Sequence, residues 1–206
     1  MGTRMRKKWD LLSEQNGALA VLSVLFLAGG GIGCLFVAVS GKEGAQELGE
    51  YLTGYLALAR EDELPRQLWP LLWGQMKYLI AAFILSLTAL GVAGLPLLFA
   101  FRGFSFTFPV ACFCRVFGWR GMFPALALFV LPALLWTSSL FLIGPPGLRS
   151  AQQLLRRALG EGGGTPPLNA PFWCQAGICA ILGLAAGLLE YWVVPTLLQG
   201  VVRLVL

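Results

Sequence analysis

The sequence contains no histidine. That removes a histidine general base and a histidine metal ligand. Charge is scarce as well. Asp, Glu, Lys and Arg make up 12% of the residues, against about 25% in a soluble domain. Mean hydropathy is +0.75, and a chain this apolar needs lipid as its solvent. The cysteines number five, an odd count that argues against a disulfide framework. Cys34, Cys112, Cys114, Cys174 and Cys179 all lie in or next to apolar runs, where a thiol behaves as a small hydrophobe. One residue between Cys112 and Cys114 is too few for paired zinc ligands. The sequence also lacks a phosphate loop, a nucleophile elbow and carboxylates paired within a plausible site. Neither catalysis nor a cofactor is therefore expected, and nucleic acid is not an expected partner.

What is present is apolar sequence in long blocks. Gly17–Gly41, Tyr78–Phe101 and Gly121–Leu148 carry no charge, and Gly162–Val202 carries only Glu190. A spanning helix needs about 20 mostly apolar residues. The pattern predicts spans over 17–41, 77–101, 120–144 and 174–202. Pro195 is placed to kink the last of these or to end its membrane part. Residues 103–118 form a shorter candidate containing Arg115, either a fifth span or a re-entrant segment. The expected fold class is all-α: a polytopic transmembrane helix bundle of about five spans, one integral membrane domain over 1–206.

The N-terminal segment Thr3–Trp9 is basic, and Ala38-Val39-Ser40 resembles a signal cleavage site. The intervening apolar run is longer than the roughly 7–15 residues of a signal core, so it reads as an uncleaved first helix. Arg4, Arg6, Lys7 and Lys8 place the N-terminus in the cytoplasm by the positive-inside rule. Five spans then put the loop 147–172, with Arg149, Arg156 and Arg157, on the same side, and the loop 42–75 outside. The outside loop has six acidic residues against three basic ones. Arg115 and Arg120 fall on the side that the rule disfavours.

Within the outside loop, Leu48, Tyr51, Leu52, Tyr55, Leu56 and Ala59 recur at helical spacing, with Glu47, Glu50, Thr53 and Arg60 between them. This predicts an extracytoplasmic amphipathic helix, lying on the bilayer or offering a docking surface. Trp69 and Trp73 mark an interface before the second span. Leu148–Leu159 reads as a short basic amphipathic helix, with Leu148, Leu155 and Leu159 along one side, in contact with anionic headgroups of the bilayer.

Two small-residue motifs stand out. Gly29 and Gly33 form a GxxxG in the first span, and Gly183 and Gly187 form another in the last. Small residues let helix backbones approach where lipid gives no hydrophobic drive between helices. The expected use is packing of these two helices on each other, with formation of a homo-oligomer as the rival. Glu190 sits mid-span, where a carboxylate costs roughly 2.5–3.5 kcal/mol on insertion scales. It must face the bundle, be paired or be protonated. A buried clamp to Arg115 or Arg102, a proton or ion relay, and a carboxylate reaching interfacial water are the three readings.

In their order along the chain, several segments resemble the stage II sporulation protein M family of endospore-forming bacteria. LAGGGIGCLFVA is similar to the family's glycine-bearing first helix, and LGVAGLPLLFAFRGFSFTF (90–108), which contains Gly103, to its central signature. FGWRGM, followed by an apolar run with Pro132, resembles the next segment, and Glu190-Tyr-Trp-Val-Val-Pro195 the family's C-terminal Glu and Pro. After Leu131-Pro132 the family usually continues with polar residues, whereas this chain has Ala133-Leu134-Leu135. The resemblance implies a non-enzymatic scaffold in the membrane of the sporulation septum. It implies the stage II sporulation proteins D and P, which cleave peptidoglycan, as partners in engulfment. The alternative is a small permease or transporter subunit, although no internal repeat of the kind common in secondary transporters is visible between 17–101 and 103–202.

Overall fold

The computed structural model describes residues 2–40, 50, 68–118, 131–160 and 170–205. The regular elements among them are all α-helices. In chain order they are α1 (Gly2–Val39), α2 (Leu68–Ser86), α3 (Gly91–Phe117), α4 (Leu131–Ala158) and α5 (Ala170–Val205). Three of them contain stretches long and apolar enough to cross a membrane: Asn16–Val39, Gly91–Phe117 and Trp173–Trp192. Their outward faces carry large apolar side chains such as Leu27, Leu97 and Ile181, each more than two-thirds exposed. Such surface is stable only in lipid. The protein is a multi-pass membrane protein. The amphipathic segment at 48–59 lies outside the described residues, apart from the helical Glu50.

Successive helices run in opposite directions, so α1, α3 and α5 point one way and α2 and α4 the other. The core joins all five, through Leu22, Leu79, Phe99, Trp136, Leu140 and Cys179 among others. Phe99 meets Phe141 edge-on at 4.9 Å. Cys112 and Cys179 are buried and Cys34 and Cys174 exposed, all as free thiols.

The closest packing is between α1 and α3, which run parallel. A Cβ on Gly29 would overlap the Ala100 carbonyl, and one on Gly103 would overlap the Phe26 carbonyl. The two helices therefore touch backbone to backbone. Thr107 Oγ1 donates across the seam to the Gly30 carbonyl at 2.8 Å and fills the space beside Gly33. Such a bond contributes about 0.6 kcal/mol within a membrane.

Residues 77–118 are divided differently from the predicted spans 77–101 and 103–118. The break falls at Leu87–Leu90, and α3 runs unbroken through Arg102 and Gly103. A charged residue followed by glycine reads as a loop, but here Arg102 is enclosed by other helices and Gly103 serves the α1 contact. At the true turn, short-range bonds such as Gly91 N–H to Thr88 O at 3.1 Å close the chain. Ser86 and Thr88 hydroxyls donate to the Ala82 and Leu85 carbonyls. Gly91 lies so close to the Leu85 carbonyl that a Cβ would overlap it.

The predicted cytoplasmic loop 147–172 also begins later. Helix α4 continues to Ala158 through Pro145 and Pro146. Proline lacks the N–H that would reach four residues back, so Pro146 frees the Leu142 carbonyl. Gln175 of α5 donates its Nε2 to that carbonyl at 2.9 Å. In lipid a freed backbone group needs such a partner. Helix α5 likewise continues past Pro195 to Val205.

Two outcomes follow. Gly29→Leu and Gly103→Leu, which place bulk against backbone, should each cost about 1–3 kcal/mol. Gly31→Leu, where nothing lies within 4 Å of a Cβ, should be neutral. Thermal unfolding in detergent micelles measures this, and equal midpoints for the three would refute the backbone contact. Gln175→Leu should cost about 1 kcal/mol in the native sequence and close to nothing in a Pro146→Ala background, where the helix satisfies its own carbonyl. Equal costs in both backgrounds would show that Gln175 acts elsewhere.

Candidate functional site

Four helices bring polar side chains to one place in the bundle. From α5 comes Glu190, whose Oε2 accepts a hydrogen bond from Trp136 Nε1 of α4 at 3.2 Å. From α3 comes Arg102, whose Nη2 donates to Gln75 Oε1 of α2 at 2.5 Å. The Arg102 guanidinium also lies 4.8 Å from the centre of the Tyr78 ring on α2. Lys77 Nζ is 5.2 Å from the same ring. Arg102 and Glu190 attract each other, without a direct ion pair among the described residues.

The expected clamp is thus corrected in form. Glu190 is held by an indole N–H, and the arginine nearest in effect is Arg102. Charge opposes charge across the cluster, while each group has its own neutral partner. This suits a low-dielectric site, where an unpartnered charge is costly and a hydrogen-bonded one is tolerated.

Arg115 is placed elsewhere. It sits in the last turn of α3 and reaches the C-terminal end of α1. Its Nη1 donates to the Val37 and Ala38 carbonyls, and its Nη2 to Ser40 O at 2.5 Å. The last carbonyls of a helix have no intrahelical partner and carry the negative end of its dipole. A guanidinium satisfies both needs.

The glycine pairs do not pack on each other as expected. Gly29 and Gly33 face α3. Gly183 and Gly187 make room for Trp136, with its ring carbons 3.0 and 3.3 Å from where their Cβ atoms would lie, and for Leu79 and Leu72 of α2. Gly183, Gly187 and Glu190 are spaced to share one face of α5. The indole lies along that face and its N–H meets the carboxylate. Both pairs are occupied within the chain. Pro195 lies on the α5 backbone beyond the residues whose side chains are described.

Three members of the cluster carry no sequence signal strong enough to find them. Trp136 stands inside an apolar run and is 3% exposed, whereas the other tryptophans with described side chains, Trp69, Trp73, Trp173 and Trp192, are exposed. Gln75 and Tyr78 are three residues apart and so share a helix face, but the predicted span boundary separated them.

Compared with protein-family models, with curated proteins and with solved structures, the chain has no match.

Removing one charge should leave the other exposed to lipid-like surroundings. Arg102→Gln and Glu190→Gln should each destabilise the protein, and the double variant should cost less than their sum by roughly 1–2 kcal/mol. Unfolding midpoints in detergent for the four species test this. Strict additivity would mean that the two charges do not sense each other.

Proposed function

We propose that the chain is a non-enzymatic membrane scaffold that crosses the bilayer five times, with its N-terminus in the cytoplasm. In this reading it organises a septal peptidoglycan-remodelling complex during engulfment in endospore formation. The observation that carries the scaffold reading is the use of its intramembrane polar groups. Arg102, Glu190, Trp136 and Gln75 bond or attract one another across four helices, as a rigid frame requires.

The basic residues support the orientation. Helix α1 begins with Arg4, Arg6, Lys7 and Lys8, and α4 ends near Arg149, Arg156 and Arg157. With alternating helix directions these fall at the same end of the bundle, which suits the cytoplasmic face. Arg115 lies at the opposite end, where the C-terminus of α1 gives it a local role independent of the topology rule. Ser40 and Leu68 also lie at that end, so the acidic segment 41–67 begins and ends on the outer face. There it is available to the stage II sporulation proteins D and P. The wall-remodelling part of the reading rests on the ordered resemblance of LAGGGIGCLFVA, LGVAGLPLLFAFRGFSFTF and Glu190–Pro195 to the stage II sporulation protein M family.

A second reading, a small permease or transporter subunit, is favoured by one observation. Arg102 and Glu190 are ionisable groups inside candidate spans, a common mark of a transport pathway. Fluorescence microscopy of a deletion strain, stained with a membrane dye and starved, separates the two. A septum that forms while the mother-cell membrane fails to advance supports the scaffold. Normal engulfment, or a host that makes no spores, removes the sporulation role and favours the permease.

A further inference from the structure

Where α1 and α3 enter the membrane, a cleft of about 430 Å³ opens between them and the tail of α4. Its volume lies in the usual range for small-ligand sites. One wall is polar and comes from α4 alone: Arg149, Gln152, Gln153 and Arg156. These are spaced i, i+3, i+4 and i+7, one face of a helix. The facing wall is apolar, with Val21 of α1 and Val92 and Pro96 of α3. No carboxylate lines the cleft among the described residues.

The sequence leads one to expect a basic amphipathic helix in contact with anionic headgroups, with Leu148, Leu155 and Leu159 along one side. The structure divides that leucine side. Leu148 is buried in the core, whereas Leu155 and Leu159 are exposed. The polar side lines the cleft, with Leu148 beside it, and Leu155 and Leu159 lie outside it.

We infer that this cleft binds the phosphate headgroup of an anionic phospholipid. Two guanidiniums on one face can hold phosphate oxygens by paired charge-assisted bonds. The two glutamine amides add neutral donors for the remaining headgroup oxygens. The apolar wall descends from Gly17 to Val21 and from Val92 to Pro96 into spans that start at Asn16 and Gly91. It therefore runs in the direction that an acyl chain takes. A soluble anion would use only the arginine wall, whereas a lipid uses both. The commitment to a lipid rests on that continuity of polar and apolar walls at the membrane boundary.

Native mass spectrometry of the full chain, released from nanodiscs of phosphatidylcholine with phosphatidylglycerol, reads the bound lipid directly. One phosphatidylglycerol should stay with each chain in preference to phosphatidylcholine. Arg149→Gln/Arg156→Gln should weaken its retention by about twenty- to thirtyfold. Arg157→Gln, outside the cleft, should leave it unchanged. Val92→Phe fills the cleft without altering charge and should also expel the lipid; it serves as the test if the double arginine variant does not fold. Equal loss in Arg157→Gln would reduce the effect to general surface charge and overturn the site. Retention of phosphatidylglycerol in Val92→Phe would do the same. A final arm adds inorganic phosphate to the delipidated protein. If phosphate alone stabilises it as well as the lipid does, the site is one for a free anion and the lipid assignment is wrong.

Discussion

The direct contact of the α1 and α3 backbones is the constraint from which the rest of the bundle follows. Lipid offers no hydrophobic drive to hold helices together, so closeness itself must do so, through dispersion and hydrogen bonds. Gly29 and Gly103 allow that closeness, and Thr107 adds a bond across it. With α1 and α3 fixed side by side and parallel, Arg115 falls within reach of the end of α1. The same placement sets Phe99 against Phe141 of α4. Arg102 is left pointing away from α1 toward α2, where Gln75 and Tyr78 receive it.

A second pattern recurs in the structure: serine hydroxyls such as that of Ser86 bond within their own helix, but several other polar groups are answered from another helix. Gln175 of α5 answers the carbonyl freed by Pro146. The indole of Trp136 answers Glu190. Arg115 answers two carbonyls of α1 and that of Ser40 just beyond it. These links are few: two tie α4 to α5 and one ties α3 to the end of α1. Together they fix the register of elements that apolar side chains alone would leave free to slide.

The apolar blocks made the helical, membrane-bound character legible, because the count of uncharged residues maps directly onto span length. The predicted first span, 17–41, nearly coincides with Asn16–Val39, and the block 174–202 lies wholly within α5. The boundary between the second and third helices was not legible. Its turn, Ser86–Gly91, contains no charge or proline, while Arg102-Gly103, which has the composition of a loop, sits inside α3. The same difficulty hid Trp136, Gln75 and Tyr78, whose roles depend on which helices meet. Glu190 was legible as a group in need of a partner, because its energetic cost can be read from one dimension. The identity of that partner needed three.

The two kinds of glycine contact differ in what sequence change they can tolerate. Gly183 and Gly187 face the side chains of Leu79, Leu72 and Trp136. Extra bulk on α5 there has a remedy, because a smaller side chain opposite restores the fit, and such positions can drift in pairs. Gly29 and Gly103 face main-chain carbonyls, and no substitution can make a carbonyl smaller. Drift at those two positions has no second-site rescue, so both are confined to glycine for as long as this fold lasts.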